Sequence, residues 1–235
     1  GLLPLADEHF RLACDLARGS DSMPIGTRTE IHARSWWAHA RWLLGDEAGA
    51  AATSALAVEN GRQIEHPYSL TVALAYAAVT HQLLGDTRGL APVLAELSEA
   101  CERYGFAYYR EWATVLTGWA EGGEAGLRTA QLGVEALERE GSLARMPYWL
   151  WLVADLHRRT GDTTAALATL DAAASRATAH DDRWWLPEVL RARSALDSGS
   201  SAVARLEQAA DLAARQSSAS LLSRCRADLD ALRRG

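Results

Sequence analysis

The sequence predicts an all-α protein, an α-α superhelix of about five helical hairpins with terminal helices, and three observations carry that prediction. First, Gly161-Asp162 splits the stretch 147–177 into two amphipathic segments. Gly readily ends a helix in the left-handed conformation, and Asp caps the next by accepting its free amide hydrogens. Second, turns in the same register recur at Gly45-Asp46, Gly85-Asp86, Gly122-Gly123 and Asp197-Ser198, so that successive turns lie 40, 37, 39 and 36 residues apart. Third, small or medium apolar residues follow the turns at fixed distance, as at Ala50, Leu90 and Ala166 five residues on and Ala57, Leu97 and Ala173 twelve on. These are the positions at which the helices of a hairpin meet. A single hairpin cannot bury such a stripe, so a period of this length implies stacked repeats.

Taken in order, residues 1–18 read as a half repeat, since Ala6, Phe10 and Ala13 match the second helix of a hairpin while no first helix precedes them. The chain is therefore expected to be a piece of a longer multidomain protein. Residues 19–27, GSDSMPIGT, form the longest break in the period. Thr27 with Glu30 then forms a capping box for the next helix. Hairpins are expected at about 27–62, 67–104, 108–141, 146–179 and 183–216, with a C-terminal helix at 220–234, all in one solenoid over 1–235. His66-Pro67 reads as a helix start. Pro92 and Pro187 fall early in their helices, where proline is tolerated only in the first turn, so those helices start later than the period suggests or carry a kink.

The second-helix pattern seen as Ala166-Leu170-Ala173 and Ala202-Leu206-Ala209 resembles the tetratricopeptide (TPR) repeat, with a period longer than that repeat's usual one. The longer period, and segments such as HPYSLTVALAYAAVTHQLLGD (66–86) and DRWWLPEVLRARSAL (182–196), are similar to the MalT-like superhelical TPR region of large bacterial ATPase-containing transcription regulators and of cyclase-ATPase-TPR proteins. The resemblance implies a non-catalytic, cytoplasmic interaction or sensor module of a bacterial signalling or transcription regulator, binding a protein, peptide or small effector. The alternative is a protein-protein scaffold or self-association module, a homodimer included, without a small ligand.

Composition narrows the partners. The chain has 235 residues and a formal net charge of −6, and all 24 of its basic residues are Arg. Arginines scattered along helices on an acidic chain are not the footprint of phosphate-backbone binding, so direct nucleic-acid binding is not expected. No apolar run is long enough to span a bilayer, and no membrane role is expected. Three cysteines, Cys14, Cys101 and Cys225, without close pairing suit free thiols.

Nine tryptophans give the functional argument. Trp36-Trp37 and Trp184-Trp185 are adjacent, and helix geometry turns adjacent side chains about 100° apart, so one face cannot take both. In TPR-like superhelices the first helix of each hairpin lines the concave face. The resemblance thus places His32, Ser35, His39 and Trp42 of the first full hairpin on a groove, with Tyr109, Trp112 and Trp119 of the third. Tyr148, Trp151, Asp155 and Arg158 of the fourth follow, then Trp184 and Arg191 of the fifth. Such an aromatic lining with a few charges suits a ligand with apolar parts and polar anchors. The other reading stays open, that the same aromatic stripes pack between repeats.

Apparent catalytic features are isolated. His32 and His39 lie seven residues apart without a third ligand. His180-Asp181-Asp182 sits in a predicted connection where Asp182 suits a helix cap, and no P-loop or dinucleotide fingerprint occurs. No metal, cofactor or enzymatic activity is expected.

Overall fold

The computed structural model describes residues 2–20, 22–23 and 26–234. Among them are twelve α-helices and no strand, and within each of two compact units helices that follow one another in the chain pack together. Contacts gather into two compact units, Leu2–Ala120 and a second beginning at Glu121. The first holds α1 (Leu3–Ala17), α2 (Thr29–Leu43), α3 (Glu47–Gln63), α4 (Pro67–Leu84), α5 (Thr87–Tyr104) and α6 (Ala107–Glu121, whose last residue begins the second unit). The second holds α7 (Gly123–Arg139), α8 (Met146–Arg159), α9 (Thr163–Ala179), α10 (Leu186–Ser194), α11 (Gly199–Arg215) and α12 (Ala219–Arg234).

The Gly-Asp punctuation acts as the chemistry requires. Asp46, Asp86 and Asp162 are the N-caps of α3, α5 and α9, and their carboxylates accept the backbone N–H groups of Gly49, Gly89 and Ala165 at 2.8, 2.9 and 2.9 Å. Gly45, Gly85 and Gly161 all have positive φ. Arg41 also pairs with Asp46, and His81 with Asp86, so a Cβ at Gly49 or Gly89 would strike both members of its pair. Exchanging Asp46 or Asp162 for Ala should cost about 1 kcal/mol in urea unfolding. The N–H of Gly49 first, with the Arg41 guanidinium, holds the Asp46 carboxyl below the usual carboxylate range against the opposing effect of burial. A carboxylate depressed in the folded state contributes stability that is present above its unfolded pKa and lost as pH falls through the folded one. Asp46→Asn keeps the cap but cannot titrate, so its stability should fall less steeply than wild type on acidification.

Two local expectations are corrected. Thr27 with Glu30 forms no capping box: α2 starts at Thr29 without a side-chain cap, and the buried Thr27 hydroxyl donates to Ser69 Oγ at 3.1 Å. Glu30 instead pairs with Arg34 on its own helix. Asp182 is not a helix cap, since α10 begins four residues later with Trp185 in the cap position; its carboxylate accepts the backbone N–H of Arg145. Pro187 does delay its helix, whereas α5 starts at Thr87 and carries Pro92 inside. His66 caps α4, as read from the sequence, by accepting the N–H of Ser69. In the break 19–27, Asp21, Pro24 and Ile25 lie outside the described residues.

The core of the first unit is α4, which packs on α2, α3 and α5 and is buried continuously from Thr71 to Thr80. A helix apolar on every side belongs inside. Its counterpart in the second unit is α8, which contacts α7, α9 and α10 and buries Tyr148, Trp149 and Leu152 completely.

Candidate functional site

The first-unit residues expected on a groove are mostly interior. Ser35 is buried and returns its hydroxyl to Ile31 O at 2.7 Å. His39 is buried with Nε2 3.0 Å from Tyr76 O, and Trp42 is buried beside it on α2. Tyr109 and Trp112 are buried in an aromatic run from Trp36 through Tyr76 to Trp112, with ring centroids 5.1 and 5.3 Å apart. Tyr109 packs edge-on to Trp112 at 5.4 Å. His32 is half-buried, accepts the Trp36 indole N–H at 2.8 Å, and has its pKa lowered by burial. Trp119 is half-buried. These aromatics join α2, α4 and α6, so the expectation that Ser35, His39, Trp42, Tyr109 and Trp112 line an open groove gives way to packing. The reason is quantitative: burying an indole removes about 150–250 Å² from water, worth roughly 4–6 kcal/mol, and adjacent first helices can bury it against each other.

The second unit is different. Helices α8 and α10 open with the same device 40 residues apart, Met146-Pro147-Tyr148 and Leu186-Pro187-Glu188, each a few residues after a positive-φ turn residue, Gly141 and Asp181. Proline in the first turn sets the helical φ where no N–H is needed. The shared register brings Trp151, Asp155 and Arg158 of α8 to Arg191 of α10 and to Ala195, which caps the C-terminus of α10. Together with Leu170 of α9 they line a recess of about 270 Å³. Four expected residues thus meet at one place.

Tyr148 is fully buried and stands beneath, its ring 6.2 Å from that of Trp151 and 5.4 Å from that of Trp185. Burial raises its pKa. Trp184 is half-buried beneath the Arg145 guanidinium, 5.2 Å from its ring centroid. Neither belongs to the recess lining, and Tyr148 is corrected to a core residue.

The charges of the recess are organised in two groups. Asp155 accepts from Arg158 at 2.9 Å and pairs with Arg159 at 2.8 Å, leaving the Arg158 side chain 55% exposed. Arg191 forks onto Glu188 at 2.7 and 2.9 Å and reaches Asp228 at 2.6 Å. Burial opposes the Arg191 charge, but its bonds to the two carboxylates outweigh this and its pKa stands above the ordinary value. Glu188 has no exposed surface and also meets Arg224 at 3.1 Å. Arg191 is therefore an anchored wall, whereas Arg158 is exposed and held by a single carboxylate.

Sequence reasoning missed Glu188, Arg224 and Asp228. The signal for Glu188 was its register: it occupies the place of Tyr148 one period earlier. The cysteines are buried, with Cys101 and Cys225 thiols pushed up to about 11 and about 12 by burial, so they are protonated at neutral pH and poor nucleophiles. Among the described residues no three metal-ligating side chains gather, and no helix is long and apolar enough to cross a membrane.

No family model and no curated protein matches the chain. Among solved structures it is similar to the crystal structure of BtubC (BKLC) from P. vanneervenii at 11% identity, over 100% of this chain and 93% of that one, with a TM-score of 0.40.

Proposed function

We propose that this chain is a non-catalytic helical-repeat module, of the kind its resemblance to MalT-like TPR regions implies, serving a bacterial signalling or transcription regulator in the cytoplasm. The α8/α10 recess takes a small effector, or one side chain of a peptide partner, with an apolar part against Trp151 and an anionic group on Arg158. The observation supporting this is the convergence of Trp151, Asp155, Arg158 and Arg191 on one recess. The size, about 270 Å³, suits a small ligand or a single anchoring side chain better than a long peptide. A ligand touching both helices transmits a signal only if it prefers one spacing of α8 and α10 over another.

Affinity capture from native cell extract tests the reading, with wild type beside Ala195→Trp, which fills the recess, and Arg158→Glu, which reverses its exposed charge. Mass spectrometry of co-eluting proteins and metabolites should show a companion held by wild type and lost by both variants. Identical companions for all three would remove the recess as the site.

The protein-only scaffold is favoured by a separate observation. Leu2, Leu5, Leu12 and Leu16 of the first unit are 72, 45, 46 and 76% exposed, and their spacing puts them on one side of α1. Sedimentation across a concentration series would reveal self-association through them.

A further inference from the structure

The unit Leu2–Ala120 carries a groove outside every sequence expectation. Its walls are α3 and α5 and its floor is α4. One basin of about 570 Å³ includes Ala51, Ala55 and Leu56 on α3, Val93 on α5 and Leu84 below. A second, of about 540 Å³, includes Leu70, Ala100 and Tyr104. Arg62 lines both, and its ion pair with Glu96 at 2.5 Å bridges the walls between them. Lining positions 51, 55, 58 and 62 repeat at helical spacing, so the groove follows α3 for about 17 Å. Leu56 and Tyr104 are 44 and 47% exposed and give each basin a large apolar side chain open to a partner.

The charge of the groove has a sign. Glu59, Glu65, Asp86, Glu96 and Glu99 face Arg62 and Arg103, five carboxylates against two guanidiniums, which leaves three negative charges when His66 and His81 are counted neutral. Arg62 engages Glu96, Arg103 lies 3.7 Å from Glu99, and His81 holds Asp86. Among the described residues Glu65 has no ion-pair partner, and Glu59 accepts the Gln63 amide at 2.9 Å. Both glutamates are exposed.

We propose that this groove docks an amphipathic helix of a protein partner, with leucine-like residues on its buried face and Lys or Arg along its flanks. A helix rather than a strand follows from the walls: α3 and α5 have satisfied their own backbones and present no edge for an extended peptide to pair with, whereas a helix brings its hydrogen bonds with it. About three turns fit the length. Basic flanks follow from the excess of carboxylate, which would repel an acidic helix and steer a basic one.

The test uses the whole chain and a labelled amphipathic Leu/Lys helical peptide, followed by fluorescence anisotropy at near-physiological salt, with a Leu/Glu peptide of the same pattern as control. The basic peptide should bind and the acidic one should not. Ala55→Arg, placed on exposed lining, and the pair Glu59→Lys with Glu65→Lys should each weaken binding by about tenfold, or about 1.4 kcal/mol. Reversal of two exposed carboxylates outside the groove, Glu207→Lys with Asp211→Lys, should leave it unchanged. Helical circular dichroism and melting temperature confirm that each variant is folded. Failure of the basic peptide to bind, binding that survives Ala55→Arg, or an equal loss from the outside pair overturns the proposal.

Discussion

Replacing Trp112 with Ala should lower the unfolding free energy by about 3–5 kcal/mol. The indole is 1% exposed and lies against Tyr76, Tyr108 and Tyr109 at centroid distances of 5.3, 5.4 and 5.4 Å. Truncation removes apolar contact area from three rings at once and leaves a cavity that rigid helices cannot close. Against a typical total of about 5–15 kcal/mol for a domain, the loss endangers folding itself. Urea unfolding followed by circular dichroism checks the value. Trp119→Ala supplies the contrast, because that side chain is only half-buried and should lose less than half as much. Equal losses at the two positions would mean that Trp112 is not the core residue described.

The second large effect is expected at Glu188. Its carboxylate has no exposed surface, accepts two bonds from Arg191 and stands 3.1 Å from Arg224. Glu188→Ala leaves a 21% exposed guanidinium with Asp228 as its remaining carboxylate and should cost about 3–5 kcal/mol. Loss of the partner, rather than loss of attraction, drives that figure. The double exchange Glu188→Leu with Arg191→Met removes both charges together and should recover much of the loss, since apolar residues of similar volume can replace a buried pair at little cost. A double variant no better than Glu188→Ala would show that the network is held for its shape and not its charge balance.

The helices were legible because turns punctuate them chemically. Gly45-Asp46, Gly85-Asp86 and Gly161-Asp162 each end one helix and cap the next, and α4 and α5 begin and end where those signals place them. The miss at Thr27 came from a motif that specifies a local bond, whereas the folded chain offers the hydroxyl of Ser69, 42 residues away. The aromatic positions were legible as stripes but not as surfaces. Helical spacing at Ser35, His39 and Trp42 shows that they share a face, yet a face turned to a neighbouring first helix and one turned to a groove have the same period. At Asp155 and Arg158 the stripe carries its own charges, which resist full burial, and these two border open space, whereas Trp151 is buried and only its edge meets the recess. Glu188 escaped because a carboxylate in a helix reads as solvated until the arginines from α10 and α12 are seen around it.

Native mass spectrometry of wild type and Ala195→Trp, purified side by side from native cells, decides whether the α8/α10 recess binds. Wild type should carry a bound mass, or retain one when the extract's small-molecule fraction is added, and a folded Ala195→Trp protein should carry none. Wild type and variant with the same bound mass, or both without one in every fraction, would contradict the assignment of the α8/α10 recess as the binding site.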